Sequence, residues 1–267
     1  VGFYFPGHAE EWERMCGSSF LGNSWDLGRG GMWLEAAGER KPFRNAEAAF
    51  QALKFWDRAH RFRNLSGEQA GLLRARLQGT EDWTHSGYGS DWRAMLAVLR
   101  AKFRQGGALG ASLGMTGDAL LLGHSARAGQ DSVWSLSNVG DVANGLGMQL
   151  MLIRDELQGQ AYDEGTWTHF FRDSCGVDLV TGRQRDGPTV SDNTDMANWD
   201  GAVRSATEAL VRKLAAQASP DLRETGAAVH EACEDVAGSE PPAPPDPEPS
   251  CGVSLKEAGR LMQEDLA

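Results

Sequence analysis

The stretch Phe43-Arg44-Asn45-Ala46-Glu47-Ala48-Ala49-Phe50-Gln51-Ala52-Leu53-Lys54-Phe55 decides how the rest of the chain is read. Asn45 is a good N-cap, because its short side chain can accept from an otherwise orphaned backbone N–H, and the residues after it predict a helix running to about Phe62. An advance of 100° per residue gathers Glu47, Gln51, Lys54, Arg58 and Arg61 into one polar stripe about 80° wide. Ala49, Phe50, Leu53, Trp56 and His60 take the other side. On periodicity alone, such a stripe is a solvent-facing surface of ordinary helix formers.

Outward from this segment the pattern stays helical. Ser66 with Gln69 forms a capping box and opens a helix through Leu77. Trp92, Met95, Leu96, Leu99 and Phe103 recur at helical spacing over Asp91 to Gln105. Asn144 to Leu157 predicts a further helix, and Trp199, Val203, Leu210 and Leu214 mark another. Strand signals are short: Val1 to Phe5, Gly31 to Ala36 and Ala119 to Leu122. The fold class expected is α+β, compact and mostly helical with a small sheet. Six of the ten prolines fall between Val236 and Ser250, a composition that favours an extended, disordered linker. The organisation expected is a domain over 1–158, a partly helical extension over 159–235, the Pro-rich linker over 236–251 and a short amphipathic helix over 252–267.

The chain has 267 residues, 41% apolar and 24% charged, which suits a globular protein with a sizeable core. No apolar run approaches the roughly 20 residues that span a bilayer, so no membrane association is expected. The net charge of −11 argues against diffuse affinity for nucleic acid. That charge is uneven, however: residues 39–105 hold 13 Lys and Arg against 7 Asp and Glu, and the remainder holds 13 against 30. A local basic block in an acidic chain suits a pocket for phosphate or another small anion. Cys16, Cys175, Cys233 and Cys251 are scattered, with neither metal-ligand spacing nor a disulfide framework. They point to a reducing compartment, the cytoplasm, while a beginning at Val1 leaves room for a preceding targeting segment.

The 43–55 segment resembles the W-P-T-x-E-H-x-F-Q-A-x-K-F motif of the NADAR/YbiA-like family of N-glycosidases. Further matches follow in order. Phe3-Tyr4 and Phe20-Leu21-Gly22-Asn23 resemble that family's F-Y and F-S-N-F elements. Met95 with Leu99-Arg100-Ala101-Lys102-Phe103 resembles V-M-x-x-A-L-R-A-K-F. Leu121-Leu122-Gly123-His124 and Asp131-Ser132-Val133-Trp134 resemble a strand followed by a D-x-x-W-G turn, and Asn144-Gly145-Leu146-Gly147 to Arg154 resembles N-x-L-G-x-x-L-M-x-x-R. The resemblance covers residues 3 to 157. It departs at Ala48, where the family has His, and at Ser135, where it has Gly.

What the resemblance implies is a metal-independent hydrolase without a cofactor, acting on a ribosyl phosphate or an ADP-ribose-containing compound, including ADP-ribosylated nucleic acid bases. Cleaving a C1′–N bond builds positive charge on the ribose ring, so a fixed carboxylate beside C1′ stabilises the transition state. By position that carboxylate is Glu47, kept ionised by Lys54 and Arg58, which also serve as phosphate partners with Gln51 nearby. Trp134 supplies a stacking face and Asp131 bonds ribose hydroxyls or the leaving nitrogen. Trp83 is preferred over Trp92 as a third aromatic, and Asn23, Asn144 and Gly147 complete the substrate-binding set. His124, after an apolar strand, reads as a core histidine in preference to a pocket-lining one. The competing expectation is an inactive module that binds ADP-ribose or a nucleotide while the C-terminal tail recruits a partner.

Overall fold

The structure, a computed structural model, describes residues 2–5, 17–125 and 144–184. Asp131, Trp134, the Pro-rich segment and the helices expected near Trp199 and over 252–267 lie outside the described residues. The described elements in chain order are β1 (Gly2–Phe5), β2 (Met32–Ala36), β3 (Glu39–Phe43), α1 (Ala46–Leu53), α2 (Gly67–Arg76), α3 (Asp91–Lys102), α4 (Ala108–Gly114), β4 (Leu122–Ser125), α5 (Gly145–Leu157), α6 (Trp167–His169), β5 (Val177–Asp178) and β6 (Arg183–Gln184). The class is α+β. In place of one small sheet, the described strands form three separate pairs: β1 parallel to β4, β2 antiparallel to β3, and β5 antiparallel to β6.

The helix expected to run from Asn45 to Phe62 ends at Leu53. Phe55 adopts φ −148° and ψ 52°, and a 3-10 segment, Trp56–Arg61, follows. Packing decides this. The break lets the neighbouring residues Phe55 and Trp56 both be buried, Phe55 stacked on Phe62 at 5.8 Å and Trp56 against Phe43 at 6.0 Å. On a straight helix those two side chains would point about 100° apart. The polar stripe therefore stops at Lys54; Arg58 and Arg61 are exposed on the 3-10 segment, and Arg58 pairs with Asp57 at 3.3 Å.

The cap is as the sequence suggests. Asn45 Oδ1 accepts from Ala48 N at 2.8 Å, while its amide donates to Leu65 O, also at 2.8 Å. Asn45→Ala removes a cap and strands a carbonyl inside the protein, so denaturant unfolding should show a loss of about 2–3 kcal/mol. Asn45→Ser, which restores only the cap, should recover about half of that loss.

Helix α3 is the centre of the fold, packed on α1, α5 and β2. Helix α5 is buried over the whole of Gly145–Asp155, as a helix with apolar residues all round must be. Strand β2 alternates strictly, with Met32, Leu34 and Ala36 inside and Trp33 and Glu35 outside. It returns as β3 through Ala37 and Gly38, both at positive φ, as a two-residue hairpin turn requires. Residues beyond Leu157 share the same core: Trp167, Phe171, Cys175 and Val177 belong to the buried cluster that holds α3 and α5. The Trp167 indole donates to Asp118 O at 2.8 Å, and Asp155 accepts from both the N–H and the hydroxyl of Thr168.

Candidate functional site

Glu47 lies in the first turn of α1 and is 6% exposed. Its carboxylate Oε1 accepts from the Gln51 amide at 2.7 Å, one helical turn on, and its backbone N–H donates to Asn23 O at 2.9 Å. The N-terminus of α2 closes one side. A Cβ on Gly67 would stand 2.1 Å from Ser24 Oγ and 3.4 Å from Glu47 Cβ, so glycine there lets the Ser24 hydroxyl and Glu47 share one space. Around Glu47 three buried polar atoms have no hydrogen-bond partner among the described residues: Asn23 Oδ1, Ser24 Oγ and Gln51 Oε1. Buried polar atoms are ordinarily paired, so three unpaired ones on residues packed about Glu47 leave hydrogen-bonding capacity unused there.

At the other end of α1, Lys54 is buried, with Nζ 3.5 Å from Asp91 Oδ1 and above the Phe50 ring at 4.6 Å. Its charge is thus met within the protein, and as a phosphate partner it would have to share itself with Asp91. Asp91 also meets His85 Nε2 at 2.8 Å. Contact with that imidazole, then the Lys54 ammonium, holds the Asp91 carboxyl below the usual range. His85 itself is buried, stacked on Phe50 and within 3.0 Å of Trp83 O through Nδ1. Its loop is tied by Asp82, whose carboxylate accepts from the N–H and hydroxyl of Thr84 and from Ser86 N, with His85 and Ser86 both at positive φ.

This loop holds Trp83 outward. The indole is 58% exposed, with Lys54 Nζ 5.6 Å from its ring. Trp92 is placed oppositely: it is 8% exposed, and its Nε1 donates to Leu179 O at 3.0 Å.

Two residues expected to bind substrate make structural contacts among the described residues. Asn144 is fully buried; its Oδ1 accepts from Gly123 N at 2.7 Å and its amide donates to Leu121 O at 2.8 Å, fastening α5 to the strand β4. Gly147 faces the same strand, where an added Cβ would come within 2.0 Å of Leu121 O. Arg58 leaves the site because α1 ends before it. The structure brings Glu47, Gln51 and Asn23 together, sets Lys54 and Trp83 at the far end of α1, and does not describe Asp131 or Trp134.

Lys102 is not among the residues expected at the site. It lies on the inner face of α3, 4% exposed, and its Nζ donates to Gly22 O at 2.6 Å, next to Asn23. Burial pushes its amine down to about 7. The signal was present: position 102 follows Leu99 by three and Met95 by seven, so a lysine stood on the apolar stripe. Below pH 7 the folded protein carries the full cost of a buried ammonium. Between pH 7 and the ordinary lysine value of about 10.4 the folded state sheds a proton the unfolded chain keeps, so stability rises with pH. Lys102 alone should add about 2 kcal/mol between pH 7 and 9, by chemical denaturation, and Lys102→Met should flatten that rise.

Among the described residues, no group of three or more His, Cys, Asp or Glu is placed to hold a metal ion, and no helix is long and apolar enough to cross a membrane.

The chain is similar to the E. coli protein YbiA. The likeness to its NMR structure has a TM-score of 0.39 and 22% sequence identity, and covers 61% of this chain and 89% of that one. No protein-family model and no curated protein matches the sequence.

Proposed function

We propose that this protein is a hydrolase cleaving the N-glycosidic bond of a phosphorylated ribosyl or ADP-ribosyl compound. The observation that carries this reading is the buried Glu47 carboxylate with the unpaired Asn23, Ser24 and Gln51 oxygens around it. Ribose offers hydroxyls to such oxygens, and the carboxylate meets the positive charge that develops at C1′. Water adds to C1′ as the C1′–N bond breaks, the bonding pair stays on nitrogen, and the proton lost by water passes to Glu47 and on to the leaving group. The motif resemblance of residues 43–55 and 95–103 supports the same chemistry. Asp131 and Trp134 are proposed as ribose partner and stacking face, and the exposed Trp83 as a further aromatic surface. Lys102 is a positioning residue, holding the Gly22-Asn23 backbone against α3.

The test is to incubate the protein with a panel of ribosyl-amine phosphates and ADP-ribosylated bases and to read released ribose phosphate or ADP-ribose by mass spectrometry. Release of either supports the reading. Binding of the panel without release assigns the chain to the inactive, ligand-binding class instead.

A further inference from the structure

A cavity of about 390 Å3 opens between the Gly28–Gly31 turn, the end of β3 and the segment after the 3-10 helix, and none of the residues around Glu47 lines it. Three guanidinium groups, Arg29, Arg44 and Arg63, line it, and among the described residues no carboxylate does. Arg44 is engaged by Asp26, whose other oxygen accepts from Gly28 N at 2.9 Å and so fixes the turn. The hydrogen bond from Arg44 holds the Asp26 carboxyl below its usual range, which keeps that pair intact at neutral pH. Arg29 and Arg63 are exposed, and neither has an ion-pair partner among the described residues. Two exposed guanidinium groups lining one opening, neither ion-paired among the described residues, suit phosphate oxygens.

The hairpin adds a planar surface beside it. Pro42 lines the cavity and is the register partner of Trp33, so their side chains stand side by side on the outer face of β2 and β3. Trp33 is 47% exposed, and the Arg40 guanidinium lies 5.3 Å from its ring centre. An exposed indole whose strand partner, Pro42, lines an arginine-bearing cavity is a combination that can hold a base and its phosphates together. We propose that this cavity binds a free nucleoside diphosphate, with the phosphates at Arg29 and Arg63 and the base against Trp33, at a site separate from Glu47. A single cavity with two unpaired cations matches two phosphates, whereas an oligonucleotide would need a longer basic track than this acidic chain presents.

The experiment is calorimetric titration of the full chain with ADP, inorganic phosphate and a single-stranded oligonucleotide, circular dichroism verifying that each variant stays folded. Wild type should bind ADP. Arg29→Gln with Arg63→Gln should weaken ADP about a hundredfold. Trp33→Ala should weaken ADP about tenfold and leave inorganic phosphate unchanged, since phosphate has no base to stack. Glu47→Gln should leave this binding intact, so the result is readable whether or not the protein cleaves glycosides. Three outcomes overturn the proposal: no ADP binding by wild type, equal ADP binding by the double arginine variant, or tighter binding of the oligonucleotide than of ADP.

Discussion

Glu47→Gln should lower turnover of the released-sugar assay by between about a hundredfold and ten-thousandfold, the range expected when a charge aimed at a developing cation is lost. That is about 3–5 kcal/mol of activation free energy. The substitution is nearly isosteric. A glutamine at 47 can still accept from Gln51, and the backbone bond to Asn23 O is unaffected, so the fold and the surrounding oxygens should persist. The loss should therefore appear in kcat with KM almost unchanged, the pattern of an interaction made chiefly in the transition state. A variant that turns over as fast as wild type would remove Glu47 from the chemistry. A variant that loses kcat and binding together would make it a structural residue of the α1 terminus.

The second large effect concerns stability. Gly147→Ala should destabilise the protein by about 4 kcal/mol or more, a considerable fraction of the 5–15 kcal/mol that holds a domain together. The added methyl would lie 2.0 Å from Leu121 O and 2.4 Å from Asn144 Oδ1. Neither neighbour is the loose end of a flexible side chain: one is the backbone immediately before β4 and the other is the amide that ties this segment to the helix. Relief requires α5 to move off β4, with loss of both bonds. Gly71→Ala is the control, because Gly71 sits inside α2 and a methyl added there would meet nothing within 4 Å. There the same chemical change should stabilise by about 0.5–1 kcal/mol, since alanine restricts the unfolded chain and suits a helix. Thermal melts of the two variants should move in opposite directions, and a Gly147→Ala melt unchanged from wild type would show that the α5–β4 contact yields easily.

Local signals were legible where they were strong. The Asn45 cap, the Ser66–Gln69 capping box and the helices over 91–102 and 145–157 stand where side-chain chemistry and periodicity put them. Tertiary packing overrode the pattern at Phe55, where burying two consecutive aromatics was incompatible with a continuous helix. Strand β3 was hidden because Glu39-Arg40-Lys41-Pro42 carries charge and a proline. Among the described strands it is paired only with β2, where Pro42 forfeits little. Helix α4, with its two glycines in Ala108–Gly114, lacks an apolar stripe long enough to see. At the candidate site, Glu47, Gln51 and Asn23 could be named from the motif, whereas Ser24 and Lys102 depend on which chain segments meet. Asn144 and Gly147 show the reverse: motif positions can mark a joint between a helix and a strand as readily as a contact to ligand.

The segment from Trp167 to Gln184 has a bearing on where this protein can be cut. Gly182 seats directly under the Trp92 indole, leaving no room for a side chain, and Leu179 and Val180 take donors from Trp92 and Arg93 on the central helix. The motifs, by contrast, run out at Arg154. A recombinant piece trimmed to the recognisable motifs would uncover the Trp92 indole and take Trp167 and Phe171 out of the core at once, so a piece worth expressing runs through Gly182 at the least.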